Sequence, residues 1–257
     1  MGIINVTPDS FSGDGLAGVE AAVRRARQMA EEGADLLDIG AESTRPETWS
    51  GPGLPEAEEM GRVLPVIEAI ARAVTIPLSV DTYKAAVARR AIEAGAGLVN
   101  DVFGLRRDPE MATVVASAGV PVVLMHNGPG GVGTDLLEKI VRELEESLAL
   151  AKGAGIDRNR ILIDPGIGFG KTREGNLEII RRLAELEALA CPILIGPSRK
   201  SFIGKTLDLP VGERLEGTAT AVALSIAGGA DVVRVHDVKA MVRVARMADA
   251  IVRGAGR

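Results

Sequence analysis

The sequence predicts a single (β/α)8 barrel of the TIM type, an α/β fold whose eight parallel strands form a closed wall inside a layer of helices. Three observations predict it. The chain has 257 residues, 46% of them hydrophobic, a usual length and core content for one such barrel. Short aliphatic runs alternate eight times with longer helical patterns, and no compositional break marks a linker, so residues 1–257 read as one domain. Nearly every apolar run ends in a polar or glycine-rich signal, and a closed barrel brings all eight ends to one mouth.

In chain order, strands are expected at 2–6, 36–40, 77–81, 98–102, 121–125, 161–164, 192–196 and 232–236. Several lack alternation, as parallel strands buried on both faces do. Helices are expected between them; 56–73, 134–152, 174–189 and 238–252 place apolar residues at three- and four-residue steps. The polar ends are Asn5, Asp38, Asp81, Asn100, His126, Asp164, Ser198 and His236. An open doubly wound sheet would spread them along an edge and carry a glycine-rich dinucleotide fingerprint after its first strand; none follows Val6. Met1 stands almost on the first strand, which leaves open an earlier strand or a barrel-bottom cover upstream.

Composition narrows the function. No apolar run reaches about 18 residues and no signal-peptide pattern is visible, so a cytoplasmic protein without membrane partners is expected. Cys191 is the single cysteine, which excludes an intramolecular disulfide framework and a cysteine zinc cluster. A net charge of -5 with four Phe, one Trp and one Tyr argues against a nucleic-acid surface and for a small ligand.

Asp81, Asn100 and Asp164, at the ends of strands three, four and six, would face a common cavity where carboxylates are costly unless a ligand supplies donors. A flat, amide-rich heterocycle would supply them; a carboxylate at Asp164 can accept two adjacent N–H groups at once, and Lys200 adds a donor. Arg234 and His236, two apart on the last strand, point the same way, with Asn5 on the neighbouring strand. Beside the start of the final helix they suggest a phosphate or diphosphate site. His126 reads as structural, followed by an ordinary turn at Asn127-Gly128-Pro129. Residues 7–18 and 41–55 are too rich in glycine and proline for regular structure and read as lids that could deliver Arg45. Gly166 to Lys171 lacks the Gly-Lys-Ser/Thr spacing of a nucleotide P-loop.

Five segments occur in one order: Asn5-Val6-Thr7-Pro8-Asp9-Ser10-Phe11-Ser12, Asp38 to Pro46, Asp164 to Lys171, Ser198-Arg199-Lys200-Ser201 and Arg234-Val235-His236-Asp237-Val238. Together they resemble the dihydropteroate synthase family over the whole chain. The resemblance implies condensation of 6-hydroxymethyl-7,8-dihydropterin pyrophosphate with p-aminobenzoate, a homodimer and a Mg2+ cofactor. It implies that Asp81, Asn100, Asp164 and Lys200 hold the pterin edge, that Met125 and Phe169 line its pocket, and that Arg234 stacks on its face. Asn5, with Mg2+, and Arg45, Arg234 and His236 would hold the pyrophosphate. Phe11, Thr44, Pro46 and Ser201 would meet p-aminobenzoate; Arg45, Lys200, Arg234 and His236 are the implied catalytic set. The chain departs from the family pattern at Asp14, one place late in Ser12-Gly13-Asp14-Gly15, at Glu47 after Arg-Pro, and at Asn127-Gly128 after His126. The alternatives are a pterin-dependent methyltransferase, which needs no pyrophosphate site, and a non-catalytic pterin-binding barrel.

Overall fold

The computed structural model describes residues 1–6, 15–42, 53–131 and 134–254, without the side chains of 15–17 and 134. The two expected lids fall largely outside these residues. Eight parallel strands are present: β1 (Gly2–Asn5), β2 (Leu37–Gly40), β3 (Leu78–Asp81), β4 (Leu98–Asp101), β5 (Val122–Met125), β6 (Ile161–Asp164), β7 (Leu194–Ile195) and β8 (Val232–Val233). The described helices are α1 (Gly15–Glu31), α2 (Glu56–Ala71), α3 (Ala85–Glu93), α4 (Met111–Ala118), α5 (Thr134–Gly153), α6 (Arg173–Arg181), α7 (Ser201–Leu207), α8 (Leu215–Ala227) and α9 (Val238–Val252).

Strands β1 to β6 pair in sequence order, and β7 pairs with β8. Two seams close the ring. At one, the Ile163 amide donates to the Pro192 carbonyl at 2.9 Å, beside a bridge between Ile163 and Ile193. At the other, Ile3 donates to the Val235 carbonyl at 3.0 Å and Val235 to the Met1 carbonyl at 2.9 Å. The regular ladders of β7 and β8 are therefore shorter than 192–196 and 232–236, and Arg234 and His236 lie past the ladder on a segment carried by the seam.

A period of two along each strand divides the molecule. Outward residues such as Ile39, Val80, Val99, Leu124, Ile163 and Ile195 join the helices in one large core. Met1, Leu98, Val123 and Leu194, with Leu36, Leu162 and Val232 packed against them, form a separate cluster that fills the lower lumen. Asp38, Asn100, Met125, Asp164, Gly196 and Arg234 each stand two residues beyond a member of that cluster. The lumen thus has an apolar floor and a mainly polar upper layer, and both faces of each strand are covered, which explains the missing alternation.

Helix ends follow local chemistry. Glu56, Glu58 and Glu59 occupy the first turn of α2, where the helix dipole favours negative charge. Thr172 caps α6 by accepting the Gly175 amide at 3.0 Å. The single helix expected over 174–189 is divided: α6 stops at Arg181, Arg182 leaves the helical region at φ -112°, and 183–189 continues as a tighter 3-10 helix. Arg182 bonds forward to Glu185 and back to Glu178, which ties the break together from its polar side.

Candidate active site

The upper layer of the lumen is a connected polar ring. Arg234 Nε lies 2.5 Å from Asp38 Oδ2, and its terminal nitrogen donates to Asp81 Oδ2 at 2.7 Å. Asn100 Nδ2 donates to the same Asp38 oxygen at 3.1 Å. β8, β2, β3 and β4 are thereby joined through side chains. Asp38 Oδ1 and Asp81 Oδ1 are buried and find no hydrogen-bond partner among the described residues. Two such orphans in one ring mark a place where donors are expected to arrive, since buried polar atoms are nearly always paired. Glycines open the space: a Cβ on Gly40 would stand 3.1 Å from the Asp81 Cβ, and one on Gly196 3.7 Å from the Arg234 Cβ.

Burial is the largest influence on Asp81 and lifts its carboxyl above the usual range; Arg234 opposes this and the Asp38 charge reinforces it. For Arg234 burial works against the charge, but Asp38 and Asp81 outweigh it and hold the guanidinium above its ordinary value. One guanidinium divides its charge between two carboxylates, so each has less than a full partner.

On the opposite wall Asp164 is buried at the end of β6 and accepts the Gly166 amide at 2.7 Å. Burial raises its carboxyl, opposed first by Lys200. Lys200 is held at the start of α7 by a bond to the Ile167 carbonyl, and its ammonium lies 4.5 Å from the centre of the Phe169 ring. Burial draws its pKa down to about 8, against the pull of Asp164. Met125, beside Asp164 in the β5–β6 register, packs with Tyr83 and Val102, and Phe103 and Phe169 join that cluster. The ring therefore has carboxylates at two sides, an ammonium above one of them and an apolar wall between.

At the seam, His236 Nδ1 is 3.0 Å from Ser198 Oγ, its amide donates to the same oxygen at 3.2 Å, and its carbonyl accepts Arg25. Asn5 is exposed at the end of β1, opposite Gly40 in the ladder. Ser201 is exposed at the first position of α7. Phe11, Thr44, Arg45, Pro46, Asp14 and Glu47 lie outside the described residues.

The residues matched by the family model for pterin binding enzymes are 1–236. The dihydropteroate synthase of Bacillus subtilis is 49% identical over 257 residues, covering 100% of this chain and 89% of that protein. The chain belongs to the dihydropteroate synthase family. Its fold agrees with that of the Clostridium difficile member crystallised in the presence of pteroic acid: the TM-score is 0.93 at 46% identity, with 98% of this chain and 96% of that one covered. The Xanthomonas albilineans dihydropteroate synthase with 4-aminobenzoic acid gives 0.91 at 45% identity, covering 100% and 93%.

Within the family frame the structure adds residues that sequence reasoning left aside. Asp38 was visible as a strand end, and its lumen parity with Arg234 is the signal that could have assigned it to the ring. Ser198 was visible in the same way, as the strand-end residue nearest His236. His126, read as structural, is fully buried, with Lys171 Nζ 2.8 Å from its Nδ1. Lys84 holds Glu42 at 2.6 Å and also bonds Glu59, and Glu42 accepts the Leu54 amide at 3.1 Å; no pattern in the sequence announces that cluster.

Proposed function

We propose that the protein condenses 6-hydroxymethyl-7,8-dihydropterin pyrophosphate with p-aminobenzoate, giving 7,8-dihydropteroate and pyrophosphate, as a cytoplasmic enzyme of folate biosynthesis. The observation that carries this reading is the pair of orphan carboxylate oxygens in the Asp38–Asp81–Asn100–Arg234 ring, facing a lumen bounded by Asp164 and Lys200. A fused two-ring heterocycle with N–H donors on one edge and ring acceptors on another suits both walls. Asp164 accepts the donor edge, Lys200 donates to ring acceptors, Asp81 and Asn100 hold the remaining polar edge, and Met125 and Phe169 cover the faces together with the Arg234 guanidinium. Charge-assisted bonds of this kind contribute about 1.5–3 kcal/mol each.

The pyrophosphate would be held toward the mouth by Asn5 and His236, and the family resemblance adds Arg45 to that set. Asn5, exposed at the mouth, would offer Mg2+ one amide oxygen, with phosphate oxygens and water completing its shell. When bound, the ion would neutralise charge on the departing phosphates. His236 is oriented by Ser198; p-aminobenzoate would meet Phe169, the Lys200 stem and, with its carboxylate, Ser201, and the family resemblance adds Phe11, Thr44 and Pro46.

The reaction is dissociative substitution. The bond from the exocyclic methylene to pyrophosphate oxygen breaks with its electron pair leaving on oxygen, and the dihydropterin ring delocalises the resulting cation. The lone pair of the aniline nitrogen then forms the new C–N bond, and its N–H proton passes to solvent or to the departing pyrophosphate. The neutral aniline is already nucleophilic, so the protein contributes positioning and preorganised charge rather than a strong base.

Exposed Leu224 on α8 and Met247 and Ile251 on α9 support a homodimer formed through the late helices. Among the described residues no helix is long and apolar enough to cross a membrane. The test is pyrophosphate release with the pterin pyrophosphate, Mg2+ and p-aminobenzoate, with dihydropteroate followed in parallel. Release that depends on p-aminobenzoate supports the synthase; binding of the pterin without release would leave a non-catalytic barrel.

A further inference from the structure

The contact between half-buried Lys171 and buried His126 is used by none of the steps above, yet it joins the two segments that carry the apolar wall of the lumen. We infer that Lys171 is a positioning residue for the pterin pocket, an ammonium staple that accepts no substrate but holds the β6–α6 loop on the end of β5 by donating to the His126 imidazole. The inference rests on the functional reading above and names residues outside the seven implied pterin contacts.

Lys171 Nζ lies 2.8 Å from His126 Nδ1, 3.1 Å from the His126 carbonyl oxygen and 3.1 Å from the Phe169 carbonyl oxygen. Three acceptors match the three donors of an ammonium group. Two belong to His126, the residue after Met125, and the third to Phe169, so one nitrogen ties the Phe169 backbone to the residue that follows Met125. The backbones close on each other as well. The Thr172 amide donates to the Gly130 carbonyl at 2.9 Å and the His126 amide to the Asp164 carbonyl at 2.9 Å. Gly166, at φ +72°, passes so near that a Cβ there would collide with the His126 carbonyl oxygen. A side chain in the middle of so close an approach sets its spacing.

The geometry also assigns the tautomer. If Lys171 donates to Nδ1, the imidazole proton is on Nε2, which faces the Glu143 carboxylate at 3.4 Å. Burial, and then the charge of Lys171, keeps the ring neutral and pulls its pKa down to about 3. Burial likewise draws Lys171 down to about 7, with Asp164 and Glu143 supporting its charge and Lys200 and Lys139 opposing it. Measurements therefore belong at about pH 6, where the ammonium is retained.

The probe is 6-hydroxymethyl-7,8-dihydropterin without its phosphates, titrated calorimetrically so that only the ring pocket is read. Lys171→Met is expected to weaken it about tenfold or more, the scale of a lost charge-assisted bond, while inorganic pyrophosphate affinity stays within about twofold. His126→Asn, which keeps an acceptor near the Nδ1 position, is expected to stay within about threefold, whereas His126→Phe matches Lys171→Met. In the unsubstituted protein, nitrogen-15 spectra of the imidazole should show the Nε2–H tautomer with a hydrogen-bonded Nδ1. An Nδ1–H tautomer overturns the staple, as does a folded Lys171→Met protein with unchanged dihydropterin affinity. If Lys171→Met does not fold, the tautomer and the Asn/Phe pair decide. Failure of the unsubstituted protein to bind dihydropterin would defeat the functional reading instead, and the imidazole spectrum would still judge the staple.

Discussion

Asp38 shows how much one carboxylate can carry. It serves Arg234 and Asn100 through one oxygen, and the other has no partner among the described residues. Asp38→Asn should weaken pterin affinity about tenfold and lower stability by about 3 kcal/mol, because an Arg buried beside a neutral partner loses half of its compensation; titration calorimetry and urea unfolding would check both. Lys200→Ala and Asp164→Asn should each cost pterin binding about 2 kcal/mol, and unchanged affinity in either would remove that residue from the site. His126 supplies a pH prediction. Its folded pKa is depressed to about 3 by burial first and by Lys171 second. The unfolded chain, with a histidine near 6.5, then binds the extra proton between those values, so stability present above about pH 6.5 is lost as pH falls through that window. Unfolding free energies from urea titrations at pH 4 and 7 should therefore fall further on acidification in the unsubstituted protein than in His126→Asn, by about 1–3 kcal/mol. Equal losses would show that the histidine is not the group responsible.

At the level of elements, β7 and β8 are the weak part of the wall. Each contributes two residues of regular ladder, and single bridges join them to β6 and β1. Amide hydrogen exchange should be faster along 193–196 and 232–235 than in β2 to β5, and equal protection around the barrel would refute this. Thr172→Ala should cost about 1 kcal/mol, read from urea unfolding, through loss of the α6 cap. The strand positions were legible because doubly buried parallel strands leave continuous aliphatic runs. The end of α6 was not, because apolar spacing continues through Leu183 and Leu186 while the backbone tightens from 3.6 to about three residues per turn. Asp81, Asn100 and Asp164 could be read from their place at strand ends. The Lys171–His126 contact could not, since it joins positions 45 residues apart whose proximity depends on the pairing of β5 with β6.

For the whole molecule, Asp38 Oδ1 and Asp81 Oδ1 are buried with no partner among the described residues, and a ligand that supplies donors to them should stabilise the fold. Saturating dihydropterin is expected to raise the unfolding temperature, by an increment that grows with its concentration over Kd. Absence of any shift would mean the lumen does not hold it. Met247→Glu with Ile251→Glu should leave a folded monomer by light scattering if α9 contributes to a dimer, and an unchanged mass would exclude that face. The two-layer lumen has a consequence for inheritance. Because the greasy floor and the polar layer alternate with outward residues at a spacing of one, deleting a single residue within a strand would turn its acid or amide into the helical jacket and an aliphatic into the mouth. Folding errors and lost chemistry would then arrive together, so a chain that passes quality control on packing has already assembled its reactive rim.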